Sequence, residues 1–175
     1  MRNYSKYFLN DLVGTSQSLK PLIVITDNQN NILSAFSQDQ EEVLDNSGNL
    51  ISFVNSISKV SNVKISNDYD SKKLKINRLR CVLYNYYDLN NRLTNKLESN
   101  LISKNLYLFY KSPTTNVINI EEEGSDYDCA LIYRGEISRI KHNDKTIEIT
   151  AEDKTQIKIA NKTVPYLSVD KLDIN

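Results

Sequence analysis

Apolar residues recur along this chain in strand-length runs, and the best patterned of them lie within residues 129–165. Ile147 and Ile149 alternate with polar residues, which is typical of an antiparallel strand with one buried face. The preceding run, residues 129–141, joins this strand through the polar turn His142–Lys145. The sequence therefore predicts a long hairpin here, with the upstream strands completing the same sheet.

The stretch of residues 21–57 predicts one hairpin followed by a loop. Residues 22–27 (LIVITD) and 32–36 (ILSAF) are compact apolar runs rich in strand-forming residues. The Asp and Asn residues between them favour a turn, because their side chains bond to nearby backbone groups. Residues 37–57 begin polar and acidic, so we expect a loop there with a partly buried anchor at Leu50–Val54.

Two further strands are predicted over residues 59–70 and 73–88. The apolar positions of the second strand change parity between Ile76 and Leu79. An inserted residue produces such a switch, so the sequence predicts a β-bulge near Asn77-Arg78.

The region after residue 105 adds a covered strand and a long excursion. Residues 106–111 (LYLFYK) are apolar or aromatic at both parities, which is typical of a strand covered on both faces. Residues 112–128 are predicted to form an excursion with a short strand at Val117–Ile120. Gly135, inside the next strand, indicates a bulge or a close backbone approach.

Helical spacing occurs at two places. Leu93, Leu97 and Leu101 recur four residues apart, which predicts a short helix packed on the core. Residues 1–20 form either a short helical face around Phe8 or an arm that orders only against a neighbour.

These elements add up to a mainly β fold. We expect about seven or eight mostly antiparallel strands and one short α-helix, in a closed or nearly closed β-barrel. The domain organisation we predict is an N-terminal arm over residues 1–20, the barrel over 21–165 and a C-terminal tail or further segment over 166–175.

Charge is balanced over the whole chain but uneven along it. The 22 basic and 22 acidic residues give zero net charge, which argues against a general nucleic-acid binder. Residues 58–111 contain 11 basic and 4 acidic side chains, whereas residues 112–128 contain no basic and 5 acidic side chains. Such blocks suit a self-associating subunit with opposite patches across an interface; the alternative is that they are solvated faces and a loop.

Few residues in the chain are suited to catalysis or metal binding. Cys81 and Cys129 form no metal or disulfide motif, and we interpret both as buried, reduced thiols. The single histidine, His142, lies in a predicted turn, and no glycine-rich phosphate loop occurs. The carboxylates of residues 121–128 match no known calcium loop. We therefore predict no metal and no cofactor.

Targeting signals are also lacking. No apolar run approaches the roughly 18 residues of a membrane span, and the N-terminal residues lack the apolar core of a signal peptide. The sequence therefore predicts synthesis in the cytoplasm and no contact with a membrane.

Two alternative functions remain open at this point. Glu152 and Asp153 could form the carboxylate pair of a hydrolase, but adjacent strand residues point to opposite faces, which favours a structural role. Five tyrosines lie near the basic segment, as on a small oligonucleotide-binding barrel with a Lys/Arg/Tyr-rich face, although tyrosine is also common in strands. They are Tyr84, Tyr86, Tyr87, Tyr107 and Tyr110.

The order of elements supplies a family resemblance. An apolar hairpin is followed by VSNVKISNDYD, RLRCVLYNYYD, a leucine-striped helix, LYLFYK, YRGEISRI, IEITAEDKTQ and a Val-Pro ending. In this order the chain resembles the N-terminal β-barrel of tail hub proteins from tailed bacteriophages. The residues that match the family's pattern are Gly135, Ile137, Glu152, Asp153, Thr155, Gln156 and Pro165.

The resemblance implies a non-catalytic structural protein of the virion. Such barrels stand side by side in the hub ring, which joins the tail tube to the tip or baseplate and lines the channel for DNA. The implied partners are copies of this chain, as a trimer or hexamer, and other tail proteins, with DNA only as cargo. Hub proteins are usually longer, so this chain would be a reduced hub, one part of a longer polypeptide or another ring component.

The uneven charge then suggests where neighbours meet. We expect the basic segment to face acidic patches on neighbouring subunits, with the excursion of residues 112–128 at lateral contacts or facing the channel. The interface candidates are Lys72, Lys73, Arg78, Arg80, Glu121, Glu122 and Glu123.

Overall fold

Strands dominate the computed structural model, which describes residues 4–14, 18–61, 67–68, 73–74, 78–86, 92–95, 97, 100–120 and 125–153. The helical elements of this part are α1, Lys6–Val13, and a 3-10 helix, Leu93–Asn95. The strands are β1 Lys20–Thr26, β2 Ile32–Ser37, β3 Glu41–Asp45, β4 Leu50–Asn55, β5 Ile57–Val60, β6 Asn67–Asp68, β7 Lys73–Leu74, β8 Arg78–Tyr84, β9 Asn105–Lys111, β10 Val117–Ile118, β11 Ala130–His142 and β12 Thr146–Asp153.

Ten strands form one mixed sheet in the order β10-β3-β4-β2-β1-β9-β11-β12-β8-β5, and β6 pairs with β7 separately. The prediction of a mainly β fold is confirmed, but a closed, purely antiparallel barrel is wrong. The sheet is not closed, since its strand order has two ends, and β2–β4 and β10–β3 are parallel pairs. The physical reason is that the β3–β4 hairpin packs over the outer surface of β1, β2 and β9 instead of continuing a ring.

A single buried residue, Ser56, connects β4 to β5, which lie far apart in the strand order of the sheet. Its N–H donates to the carbonyl of Ser37 on β2, and its own carbonyl accepts the N–H of Tyr84 on β8. The chain therefore passes from the neighbourhood of β2 to that of β8 within one residue.

Two hydrophobic cores lie on the two sides of β1 and β9. Ile23 and Ile25 of β1 point into the first core together with the buried faces of β8, β11 and β12. Leu22 and Val24 point the other way, into the second core, which β3, β4 and β10 cover. Leu106 to Phe109 of β9 alternate between the same two cores, and all four are at most 1% exposed. This confirms that the LYLFYK strand is covered on both faces.

Beyond the first core, β8 and β12 bury one face only. Leu79, Cys81 and Leu83 point inward from β8, and Ile147 and Ile149 from β12, while the residues between them are half-buried or exposed. The alternation predicted for residues 147–152 is confirmed. It leaves the outer face of these strands uncovered in the described part of the chain.

Two local predictions are wrong. Residues 37–57 contain the β3–β4 hairpin, not a loop, because Val43 and Ile51 alternate with polar residues and pack on the second core. The strand predicted over residues 73–88 is divided, since β7 and β8 belong to different sheets. The bulge predicted near Asn77-Arg78 falls partly on residues outside the described ones.

The helix predicted around the leucine stripe is a 3-10 helix at Leu93–Asn95 in the described residues, where the N–H of Leu97 also donates to the carbonyl of Leu93. Leu93 and Leu101 are buried in the first core, so the interpretation of the stripe as core packing is confirmed. The described α-helix lies instead in the N-terminal arm.

Gly135 makes the close backbone approach that the sequence indicates. A Cβ atom at this position would lie 2.6 Å from the carbonyl oxygen of Glu152 and 2.6 Å from the hydroxyl of Tyr133. The Tyr133 side chain passes over the glycine, and its hydroxyl donates to the carbonyl of Ala151 at 2.9 Å. Register shifts follow Leu131 and Ile137, so irregularities in pairing flank the glycine rather than coincide with it.

We expect Gly135→Ala to lower the free energy of unfolding by about 1–3 kcal/mol, because the methyl group would force the backbone of β12 or the Tyr133 ring to move. Urea denaturation followed by circular dichroism measures this change. Gly48→Asn is the control: Gly48 has a φ of 83°, a Cβ atom there would meet no other atom within 4 Å, and Asn tolerates this backbone region. Equal effects of the two substitutions would contradict the close approach.

Candidate assembly surface

Charged side chains concentrate on the outer face of β5, β8, β11 and β12. Along each strand these charged residues alternate with buried residues, or they pair in the strand register with a residue that points outward. We call this set the charged face. Its members are Lys59, Arg78, Arg80, Glu136, Arg139, Lys141, Glu148 and Glu152, which are five cations and three carboxylates.

Two arginines of the charged face already have partners within the chain. Arg78 Nε lies 2.9 Å from Glu152 Oε1, directly across the β8–β12 pair. Arg80 Nη2 donates to Glu148 Oε2, one position diagonal to it. Both arginine side chains are more than 60% exposed, so each pair contributes at most about 1 kcal/mol to stability.

Arg139 and Lys141 on β11 are in a different situation. Among the described residues, neither forms an ion pair, and Glu148, opposite Lys141 in the register, pairs with Arg80. Pairing of β9 with β11 ends at Glu136, so the β11 edge beyond Ile137 has no neighbouring strand in the described part. These two cations are therefore available to a partner.

The β3, β4 and β10 strands form a separate feature, which we call the wing. Its front covers the second core with Val43, Ile51 and Phe53. Its back carries Glu42 opposite Ser52 and Leu44 opposite Leu50. Leu50 is 59% exposed, so the wing back combines an apolar pair with an exposed carboxylate.

Glu41 anchors the wing to the ends of β1 and β9. Its side chain is only 9% exposed and accepts hydrogen bonds from Lys20 Nζ at 2.6 Å and Lys111 Nζ at 2.5 Å. Burial raises the pKa of Glu41, but the hydrogen bonds from Lys111 and Lys20 outweigh it and hold the pKa below its ordinary value. The hydrogen bond to Glu41 in turn raises the pKa of Lys20.

A groove of about 470 Å³ opens between β2 and β4, which pair only at their last two residues. Its walls include Leu33, Val54, Leu93 and Leu97. The carboxylate that borders it, Asp45, is used within the turn after β3, where it accepts hydrogen bonds from the Ser47 and Asn49 backbone. The groove therefore has an apolar surface, and its carboxylate, Asp45, is already hydrogen-bonded within the turn.

Helix α1 packs on the excursion of residues 112–128, so the helical alternative predicted for the arm is the one observed. Ser5 caps the helix, and Phe8 is buried. The Asp11 carboxylate accepts hydrogen bonds from Ser112 and Thr114, which lower its pKa. The Tyr7 and Tyr127 rings stack with centroids 4.8 Å apart.

The cysteines are free and buried, as predicted. Burial raises the pKa of the Cys81 thiol to about 12 and that of Cys129 to about 11, so both remain protonated at neutral pH. In the described residues, no three His, Cys, Asp or Glu side chains are placed to hold a metal ion. Within the same part of the chain, no helix has the length and apolar character to cross a membrane.

The sequence-predicted residues are only partly brought together. Gly135 and Ile137 face the first core, Glu152 pairs with Arg78 on the charged face, and Asp153 ends β12. Lys73 lies in β7, whose side chains are not described. The predicted residues outside the described ones are Lys72, Glu121, Glu122, Glu123, Thr155, Gln156 and Pro165.

Sequence reasoning missed the wing and the two β11 cations, Arg139 and Lys141, that form no ion pair with another described residue. One signal was available, since residues 21–58 contain five acidic side chains and no Lys or Arg. By its lack of basic residues, this segment, which supplies β3 and β4 of the wing, differs from the basic strands that follow.

The fold belongs to the mainly β class, with one large mixed sheet folded around two cores. Among solved structures, it is similar to a protein chain of the virion of a native gene transfer agent (GTA) particle, with a TM-score of 0.54 and 13% sequence identity. The similarity covers 87% of this chain and 46% of that chain, so this chain spans less than half of its structural neighbour. At this identity, the likeness concerns the fold. No protein-family model and no curated protein matches the sequence.

We expect Glu41→Gln to lower the free energy of unfolding by about 2 kcal/mol at pH 7, because the substitution leaves Lys20 and Lys111 without their buried counter-charge. A carboxylate with a lowered pKa stabilises the fold above its unfolded pKa, and this contribution is lost as the pH falls through the folded one. The difference between wild type and variant should therefore shrink below about pH 4.5. Urea denaturation between pH 3 and pH 8 measures it.

Glu42→Gln is the matched control, because the neighbouring carboxylate is exposed on the wing back. It should change the free energy of unfolding by less than about 0.5 kcal/mol. A pH-independent difference between wild type and Glu41→Gln would contradict the proposed anchoring role.

Proposed function

We propose that this chain is a structural protein of a phage-like virion. The observation that carries the proposal is the shared fold with a virion protein chain over 87% of this sequence. The site geometry supports an assembly role: the prominent surface features are the charged face and the wing back, and the described groove contains a carboxylate already committed to a turn.

More narrowly, the proposed location is the hub ring that joins the tail tube to the tip or baseplate. This part of the proposal rests on the resemblance of the element order to hub barrels. Copies of the chain, three or six in number, would surround the channel through which DNA passes, and other tail proteins would contact the ring from either side.

The test is to purify particles from cells that carry this gene. We expect mass spectrometry to detect the chain in them, and cryo-electron microscopy to place its density in a ring where the tail tube meets the tip. Particles that lack the chain would contradict the structural role. Density in the head or elsewhere in the tail would contradict only the hub location.

A second candidate function, oligonucleotide binding, is favoured by two exposed tyrosines, Tyr84 and Tyr86, beside the arginines of β8. The ion pairs of Arg78 and Arg80 weaken this candidate, because a phosphate would compete with a carboxylate already in place. We expect no change in the fluorescence anisotropy of a labelled single-stranded oligonucleotide at about 50 mM salt. Salt-sensitive binding would favour the second candidate.

A further inference from the structure

We propose that the wing back of one copy binds the charged face of the next, so that the chain associates with itself head to tail. The proposal deepens the proposed function and rests on it, since a ring of copies needs lateral contacts. It names both surfaces of that contact, and the partner is a second copy of this chain.

Charge provides the first argument. The charged face has an excess of two cations, and Arg139 and Lys141 have no carboxylate within ion-pair distance in the described part of the chain. The segment that supplies β3 and β4 lies within residues 21–58, which have no basic residue. Lys20 and Lys111 neutralise Glu41 inside the wing anchor, whereas Glu42 remains exposed on the back. The two surfaces therefore have opposite excess charge.

Apolar residues provide the second argument. Leu44 and Leu50 are paired across β3 and β4 on the wing back, next to Glu42 and Ser52. On the charged face, the apolar side chains Val82 and Tyr84 lie on β8 among the charged residues, and Tyr84 is 53% exposed. Each surface thus combines two apolar side chains with charge: a cationic excess on the charged face and the Glu42 carboxylate on the wing back. Apolar residues surrounded by polar ones are the composition of an interface core with a polar rim.

The arrangement of the cores provides the third argument. The charged face is the outer side of strands that cover the first core, and the wing back is the outer side of strands that cover the second. The two surfaces are therefore separate, and one copy can use both at once. A contact between two different surfaces is heterologous, and it produces rings or filaments rather than two-fold dimers.

The experiment is a charge swap on the full chain, measured by sedimentation velocity across a concentration series at about 50 mM and about 500 mM salt. The first variant, Arg139→Glu with Lys141→Glu, makes the charged face acidic. The second, Glu42→Lys with Ser52→Lys, makes the wing back basic. The third contains all four substitutions and restores opposite charges with the signs exchanged.

We expect wild type to self-associate at the lower salt concentration. Its association should be at least about tenfold weaker at the higher concentration, because salt screens exposed charges. Each double variant should associate at least about tenfold more weakly than wild type. The fourfold variant should return to within about threefold of wild type, because the charge complementarity is restored. Lys6→Glu, on the exposed side of α1, is the matched control and should leave association unchanged.

Circular dichroism spectra and denaturation midpoints of every variant establish that it is folded. A wild-type chain that stays monomeric at the lower salt concentration would overturn the inference, as would double variants that associate like wild type or a fourfold variant that stays weak. None of these results bears on whether the chain is present in purified particles, so failure of the inference and failure of the proposed function are distinguishable.

Discussion

The whole architecture depends on two adjacent strands, β1 and β9, whose two faces are both buried. Their side chains alternate between the first and second cores, and complete burial of each contributes on the order of 1.5–3 kcal/mol. A slip of one residue between β1 and β9 would exchange the residues of the two cores. The register of this pair therefore determines which residues fill each core.

The wing follows from this constraint. Because β1 and β9 present an apolar outer face, some element must cover it, and β3, β4 and β10 do so. Glu41 reinforces the cover by binding lysines at the ends of the same two strands, Lys20 and Lys111. A buried carboxylate with two cationic partners is costly to desolvate, but it fixes where the hairpin lies. The opposite cover, β8 and β12, is connected to β9 by backbone pairing through β11.

Local pattern was sufficient for elements whose burial follows from their own sequence. The covered strand at residues 106–111, the alternating strand at 147–152 and the close approach at Gly135 were predicted for this reason. The β3–β4 hairpin was missed because both strands are short and β3 is acidic, and because the lysines that pair with the buried Glu41 are distant in the sequence. The closed antiparallel barrel was wrong because strand order depends on contacts between distant segments, which periodicity does not encode.

The same distinction governs the surface. The basic block in the sequence indicated Arg78 and Arg80 as interface residues. In the fold, however, Glu152 lies across from Arg78, and Glu148 lies diagonal to Arg80. Only the fold distinguishes cations that are paired within the chain from cations without an ion pair in the described part, such as Arg139 and Lys141. Interfaces gain specificity from charges left unbalanced in the free subunit, because a neutralised pair has little further energy to gain from a partner. In the proposed head-to-tail contact, recognition therefore rests on the residual charge imbalance between the wing back and the charged face.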